Sequence, residues 1–142
     1  MATQLQEKFS VSDPDHAWEV VSDVSKVIPC VPGAKVLDAE GPEKAKAESK
    51  GDMGSMAMTF SGPVEIVSKD DGSKTAKFKA QAKEAGGQSN ATGDVTIQIG
   101  GDGGTVDVNA NVSGKAASMG EGTVQAVLEA LVKQFTSNLA KA

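Results

Sequence analysis

The chain has 142 residues, a length that suits one domain with its own hydrophobic core. Its formal net charge is -5, and lysine supplies all 14 of its basic residues. Because arginine is absent and the aromatic residues include one Trp and no Tyr, the chain lacks the phosphate clamps and stacking rings typical of nucleic-acid-binding proteins, and we expect no nucleic-acid partner.

The first part of the chain predicts a strand followed by two short helices. Residues 3–11 alternate in polarity as a strand does. A capping residue followed by Pro14 is typical of a helix start, and the apolar residues Ala17, Trp18, Val20 and Val21 indicate a helix that ends near residue 23. A second helical turn is predicted over residues 24–28, because Pro29 stops it.

Five antiparallel strands are predicted next, joined by turns rich in Gly, Asp and Pro. The turns lie at residues 40–43, 70–73, 86–87 and 100–104, with a further break near residues 54 and 55. The order of a strand, two small helices, a meander of strands and a final helix predicts an α+β fold in a single domain, residues 1–142.

The last quarter of the chain carries the strongest helical signal. Residues 115–141 are predicted to form one long amphipathic helix, whose apolar face carries Val124, Val127, Leu128, Leu131, Val132, Phe135 and Leu139. Its leading part, residues 116–122, is small and contains two glycines, whereas its trailing part is bulky. We therefore expect this helix to cover the sheet, packing firmly at its C-terminal end and leaving space beneath its N-terminal end.

The sheet face that turns toward this helix is built mainly from small residues. Strand alternation directs Ala, Gly, Ser and Val inward at many positions. Their side chains together have too little volume to fill the space under one helix at normal packing density. Such a face indicates either an internal hollow, which we favour, or a close approach of the helix. Four methionines at inward positions, Met53, Met56, Met58 and Met119, indicate either a pocket for a flexible apolar ligand or ordinary filling of the core. The predicted ligand-binding residues are Met53, Met56, Met58, Phe60, Phe78, Ala80, Val95, Ile97, Val108, Met119, Thr123, Val127 and Leu131.

Few residues are suited to chemistry, and each has a simpler structural explanation. His16, the single histidine, falls in the first turn of the small helix, where a solvated position is expected. Cys30, the single cysteine, has no nearby base, so a buried structural thiol in a reducing compartment is predicted. The pair Asp70-Asp71 lacks further carboxylates at calcium-loop spacing, and we expect no metal site. Glu7 and Ser49 occupy inward positions, and we favour a structural explanation for both over a role as polar anchors for a ligand.

Several segments together resemble the CoxG family of carbon monoxide dehydrogenase subunits over nearly the whole chain. They are Phe9-Ser10-Val11, the stretch from Pro14 to Trp18, Asp23, Val27-Ile28-Pro29-Cys30-Val31-Pro32-Gly33, Phe60-Ser61-Gly62-Pro63, Val112-Ser113-Gly114-Lys115-Ala116, Gly120 and residues 135–139. The Cys-x-Pro-Gly element with its upstream Trp and Asp distinguishes this family from other START-like (SRPBCC) proteins. The resemblance implies the helix-grip fold, in which a curved antiparallel sheet wraps around the long C-terminal helix and an apolar tunnel.

The resemblance also implies a function. Family members accompany molybdenum-containing carbon monoxide dehydrogenases and are associated with attaching them to the membrane and its respiratory chain. The implied role is that of a non-catalytic accessory protein that holds an isoprenoid quinone, menaquinone or ubiquinone, in its tunnel. Relatives often continue into a membrane-contacting tail, whereas this sequence stops just after the long helix, which puts direct membrane attachment in doubt. No apolar run spans a bilayer and residues 1–9 show no signal-peptide pattern, so we expect a cytoplasmic protein at the inner face of the cell membrane.

Two other functions stay open from the sequence. One is a structural adaptor for the dehydrogenase, with a collapsed interior filled by a closely packed helix. The other is an enzyme of the hydrolase or cyclase type, which requires polar groups that converge inside the tunnel. Only Ser49, Glu7, Thr59 and Thr123 are available for that purpose, without a histidine partner.

Overall fold

The computed structural model describes residues 2–53 and 56–142, and the side chains of residues 52, 53, 56 and 57 lie outside this description. Seven strands, three α-helices and two 3-10 turns make up the described part of the chain. In chain order they are β1 (Ala2–Phe9), α1 (Pro14–Val21), α2 (Val24–Val27), a 3-10 turn (Ile28–Cys30), β2 (Ala34–Ala39), β3 (Lys44–Met53), β4 (Met56–Asp70), β5 (Thr75–Glu84), β6 (Ser89–Gly100), β7 (Gly103–Gly114), a second 3-10 turn (Lys115–Met119) and α3 (Glu121–Lys141).

The seven strands form one antiparallel sheet in the order β1-β7-β6-β5-β4-β3-β2. Strands β2 to β7 follow one another as hairpins, and β1 closes the far side by pairing with β7, with Phe9 opposite Gly104. Strands β1 and β2 are therefore the two edges. The register shifts between Val36 and Asp38 in β2, and between Ile66 and Ser68 in β4. Such β-bulges bend a strand and increase its twist.

The two short helices start at aspartates that cap them. The Asp13 carboxylate accepts a hydrogen bond from the backbone N–H of His16 at 3.2 Å, and Asp23 accepts one from Ser25 at 2.9 Å. The indole N–H of Trp18 donates to the Asp71 carboxylate at 2.9 Å, which ties α1 to the turn between β4 and β5.

The α+β fold predicted from the sequence is confirmed, but three details of the elements are wrong. Six strands instead of five follow the short helices, because residues 34–39 pair with β3 as a short edge strand. The first strand ends at Phe9 and not at residue 11. The helix predicted over residues 115–141 begins only at Glu121. Gly114 and Gly120 have φ angles of +84° and +96°, which an α-helix does not contain, so a separate 3-10 turn lies between them.

The main core lies under the C-terminal half of α3. Its buried side chains come from every layer of the molecule and include Val21, Val24, Ile97, Val106, Phe135 and Leu139. In the N-terminal half of α3 only Val124 is buried, in a smaller cluster with Met58, Val112 and Ala116. Helix α3 is therefore anchored at its C-terminal end and stands over a gap at its N-terminal end, as its side-chain sizes predict.

Candidate ligand-binding cavity

A cavity with two adjoining chambers lies between the sheet and residues 122–135 of α3. The larger one, here the outer chamber, has a volume of about 940 Å³ and lies between the N-terminal half of α3 and one end of the sheet. The smaller one, the inner chamber, has a volume of about 300 Å³ and lies under the second half of α3, next to α2. Binding sites for small molecules usually measure roughly 300 to 1,000 Å³. The hollow interior favoured from the sequence is therefore present, and a collapsed interior is wrong.

The outer chamber is wide because α3 presents small residues to it. Gly122, Ala126 and Ala130 recur at every fourth position and so share one face of the helix. The other lining residues are Pro32, Gly33, Ser49, Lys50, Gly51, Met58, Phe60, Ala82, Ala91, Val112, Thr123, Val127, Leu128, Leu131 and Gln134. Thr123, Ala126 and Gln134 are also exposed to solvent, so this chamber is the entrance.

The inner chamber is enclosed by the middle of the sheet and the apolar residues that follow α1. Its lining is aliphatic and aromatic almost throughout. The lining residues are Val27, Ile28, Val31, Ala34, Ala47, Ser49, Phe60, Ser61, Gly62, Val64, Phe78, Ala80, Gln81, Ala82, Val95, Ile97, Val106, Val108, Leu131, Val132 and Phe135.

Four residues line both chambers and form what we call the waist: Ser49, Phe60, Ala82 and Leu131. Ser49 on β3 lies directly opposite Phe60 on β4, so a hydroxyl and an aromatic ring stand side by side at this point. Leu131 approaches from α3. A ligand longer than one chamber has to pass between these side chains.

The rim of the entrance is held rigidly against β3. Gly33 has a φ of +74°, and a Cβ atom at this position would lie 2.1 Å from the carbonyl oxygen of Lys50. The Gly33 carbonyl in turn accepts a hydrogen bond from the backbone N–H of Lys50 at 3.0 Å. Only glycine permits this conformation and this close approach together, which explains why the Cys-x-Pro-Gly element ends in glycine.

The hydrogen bonds of α3 extend this rim. The Gln134 side-chain amide donates to the Asn138 side-chain oxygen at 3.1 Å, and Asn138 donates to the Cys30 carbonyl at 2.9 Å. Two consecutive side-chain hydrogen bonds therefore connect Gln134, which lines the outer chamber, to the loop that forms the rim of the entrance.

Most of the predicted ligand-binding residues meet at this cavity. Met58, Thr123 and Val127 line the outer chamber, Phe60 and Leu131 lie at the waist, and Phe78, Ala80, Val95, Ile97 and Val108 line the inner chamber. Met119 lines neither chamber, because the break at Gly120 separates its 3-10 turn from α3. The side chains of Met53 and Met56 lie outside the described residues. Whether the lining residues contact a ligand stays a prediction.

Sequence reasoning missed the helix face that opens the outer chamber. The four-residue spacing of Gly122, Ala126, Ala130 and Gln134 was available as a signal, but it lies beside the apolar stripe that defines the helix. It also missed the contribution of the 3-10 turn and the loop after it, namely Ile28, Val31, Pro32 and Gly33. That contribution depends on how the loop folds back onto β3.

The cavity offers few groups for acid-base chemistry. Of the described residues that line it, Lys50 alone is of a titratable type. Its side chain is 68% exposed, and its Nζ atom lies 3.8 Å from the Glu48 carboxylate. His16 lies on the surface, with Nδ1 3.8 Å from the Glu19 carboxylate. Burial raises the pKa of the Cys30 thiol, which therefore stays protonated and donates weakly to the Lys26 carbonyl at 3.6 Å.

Glu7 and the acidic turn lie away from the cavity. Glu7 is on the edge strand β1, beside a separate surface pocket of about 270 Å³ that it shares with Glu129 and Lys133. Asp70 and Asp71 act in local structure, where Asp70 accepts from the Gly72 N–H and Asp71 from Trp18. Within the described residues, no group of three or more His, Cys, Asp or Glu side chains is arranged to hold a metal ion.

Solved structures share the fold of this chain at low sequence identity. A conserved protein from Geobacillus kaustophilus is 19% identical, with a TM-score of 0.71 over 99% of this chain and 91% of its own. The Zhui aromatase/cyclase from Streptomyces sp. R1128 is 13% identical, with a TM-score of 0.58 over 99% and 90%. The major latex-like protein 151 from Panax ginseng is 13% identical, with a TM-score of 0.55 over 96% and 97%. The predicted helix-grip fold is therefore confirmed.

A family model also matches the chain. The model for the carbon monoxide dehydrogenase subunit named CoxG covers residues 8–142. Among curated protein sequences none matches. In the part of the chain that the structure describes, no helix combines the length and the apolar character needed to cross a membrane.

Proposed function

The chain belongs to the CoxG family of carbon monoxide dehydrogenase subunits, and from this premise we propose that it is a non-catalytic accessory protein that holds an isoprenoid quinone in its cavity. In this role the protein links a molybdenum-containing carbon monoxide dehydrogenase to the quinone pool of the cell membrane. It works on the cytoplasmic side, at the inner face of that membrane. The observation that carries the proposal is the two-chamber cavity, lined by apolar residues almost throughout.

The chemistry of a quinone supports this choice. An isoprenoid quinone is confined to the lipid bilayer, whereas the dehydrogenase is a water-soluble enzyme, so a protein that shields the quinone from water removes the barrier between them. Burial of each CH₂ group of the tail contributes about 0.8 kcal/mol, and lost freedom of motion offsets part of this gain. Menaquinone and ubiquinone both meet these requirements.

A catalytic role has weaker support. The aromatase/cyclase with the same fold shows that this architecture accommodates enzymes, but the described lining of this cavity contains no His, Cys, Asp or Glu side chain. Lys50 alternates along β3 with the inward-facing Ser49, so its side chain points away from the cavity, and it is 68% exposed. Binding without turnover is therefore the function that the lining supports best.

The proposal is tested in two steps. Native mass spectrometry of the protein mixed with menaquinone-2 should show a one-to-one complex that survives gentle desolvation. Vesicles containing menaquinone, a purified carbon monoxide dehydrogenase and carbon monoxide should then show quinone reduction that rises with the amount of this protein added. A protein that stays empty with menaquinone and with ubiquinone, or leaves the reduction rate unchanged, would contradict the proposal.

A further inference from the structure

Polar side chains are distributed unequally between the two chambers. Thr123 and Gln134 line the outer chamber and not the inner one. Lys50 also borders the outer chamber, but it alternates along β3 with the inward-facing Ser49, and its side chain lies on the other side of the sheet, near Glu48. Two polar residues, Ser61 and Gln81, border the inner chamber, but they alternate along their strands with the inward-facing residues and so carry their side chains on the other side of the sheet. The inner chamber therefore offers a ligand almost nothing but hydrocarbon.

The hydroxyl of Ser49 marks the boundary. It lies at the waist, next to the Phe60 ring, and within the described structure it makes no hydrogen bond. The Thr123 hydroxyl, on the helix side of the outer chamber, is likewise without a partner in the described part of the chain. A hydroxyl donates one hydrogen bond and accepts others, so both groups can bind a ligand carbonyl or hydroxyl.

The Gln134 amide adds an oriented acceptor. Its nitrogen donates to Asn138, which is itself held by the Cys30 carbonyl. This arrangement fixes which end of the amide is nitrogen and leaves the oxygen without a partner in the described structure. The outer chamber thus combines donors and an acceptor on opposite walls, from β3 and from α3.

Resting on the proposed function, we infer that the ligand binds in one orientation, with its polar ring in the outer chamber and its hydrocarbon chain through the waist into the inner chamber. A polar group placed in the inner chamber would lose its hydrogen bonds to water without replacing them, which is costly. A hydrocarbon chain loses nothing there. Ser49 is the positioning residue at the junction, because its hydroxyl is close to both the ring and the start of the chain.

This orientation narrows the class of ligand. The site takes amphipathic molecules with one flat polar end and one unbranched or isoprenoid chain, and the chain has to be slender enough to pass Phe60 and Leu131. The polar end also faces the entrance, where a redox partner can reach it. A carrier with the reverse orientation would bury the reactive ring behind its own tail.

Methyl-group NMR on the full chain locates the ring directly. Met58 and Leu128 report on the outer chamber, and Val95 and Ile97 on the inner chamber. Menaquinone-2 has an aromatic ring that shifts nearby methyl signals, and farnesol serves as a ring-free control for the chain. After subtraction of the farnesol effect, we expect large shifts at Met58 and Leu128 and small ones at Val95 and Ile97. Larger shifts at Val95 and Ile97, or equal shifts in both chambers, would overturn the orientation.

Two matched variants give an independent measurement. Ala80→Phe fills the inner chamber and Ala91→Phe fills the outer one, with the same substitution at inward-facing alanines of neighbouring strands. For menadione, the ring without its chain, we expect unchanged affinity in Ala80→Phe and about a tenfold loss in Ala91→Phe. Menaquinone-2 should lose affinity in both. The opposite pattern for menadione would contradict the inference.

Further controls separate the two proposals. Where Ala91→Phe fails to fold, Ala126→Phe fills the outer chamber from an exposed position on α3. Where menadione binds too weakly to measure, the NMR shifts alone decide. Absence of menaquinone-2 binding to the wild-type chain would remove the proposed function together with this inference, whereas binding with the ring beside Ile97 would remove only the orientation.

Discussion

The side-chain amide of Asn138 donates a hydrogen bond to the main-chain carbonyl of Cys30 at 2.9 Å, across 108 positions of the sequence. This contact joins the C-terminal half of α3 to the loop at the cavity entrance. It also receives support from Gln134, whose amide donates to Asn138 at 3.1 Å. The two hydrogen bonds therefore tie the long helix to the loop at the entrance.

Replacing Asn138 should weaken both the fold and the entrance. In Asn138→Leu the Cys30 carbonyl loses its partner, and we expect the free energy of unfolding to fall by about 1 to 2 kcal/mol. Release of bound menaquinone-2 should become faster. Urea unfolding and stopped-flow release measure the two effects. Gln125→Leu is the control, because it removes an exposed side-chain bond to Glu129 on the same helix and should change stability by less than about 0.5 kcal/mol.

Gly33 should tolerate no side chain. Gly33→Ala combines an unfavourable φ of +74° with a Cβ atom 2.1 Å from the Lys50 carbonyl oxygen. Gly87→Ala is a matched control, since Gly87 has a φ of +73° and open space around its Cβ position. We expect the control to cost about 1 to 2 kcal/mol for the backbone conformation alone. Gly33→Ala should cost clearly more, and equal losses in thermal unfolding would refute the clash.

The Cys30 thiol should make stability depend on pH in the alkaline range. Burial raises its pKa in the folded state, so the thiolate is favoured in the unfolded chain. The contribution of the neutral thiol to the free energy of unfolding is constant below the ordinary thiol pKa. It declines as pH rises from that value toward the pKa of the thiol in the folded state. Denaturant titrations across this range should show a decline that is smaller in Cys30→Ala. Alkylation by iodoacetamide at mildly alkaline pH should also be slow until the chain is unfolded, and fast labelling of the native protein would contradict the burial.

Filling the inner chamber with a larger ring should block long-chain ligands. In Ala80→Trp the indole occupies space that the chain of menaquinone-2 would use, and we expect its affinity to fall by at least about tenfold. Overpacking should cost about 1 to 3 kcal/mol of stability, so circular dichroism has to confirm the fold. Lys79→Trp, one position earlier on the outward face of β5, is the control and should leave binding unchanged. Unchanged binding in Ala80→Trp would show that the part of the inner chamber around Ala80 is not in the binding site.

Much of the cavity wall could be predicted because strand alternation is a local property. Phe78, Ala80, Val95 and Ile97 face inward as their parity requires. The small inward residues among them and beside them, such as Ala47, Ala80 and Ala82, already indicate a space under α3. The firm packing of Phe135 and Leu139 likewise follows from helical spacing.

Other features depend on contacts between distant segments and could not be predicted in this way. The sequence places the helix start at residue 115 because Ala116, Ala117 and Met119 favour helices, whereas the φ angles of Gly114 and Gly120 interrupt it. The division of the cavity at Ser49 and Phe60 depends on the pairing of β3 with β4 and on the approach of Leu131. The hydrogen bond from Asn138 to Cys30 has no local sequence signal at all.

The edge strand β2 bears on whether copies of the protein pair edge to edge. Strand β2 has six residues, a register shift after Val36 and charged side chains at Lys35 and Asp38, so it presents only short runs of free main-chain groups. Intermolecular strand addition needs a long, flat, uncharged template, and this border is none of these. Pairing between copies of the protein along β2 is therefore disfavoured, even though the interior of each copy is under-filled.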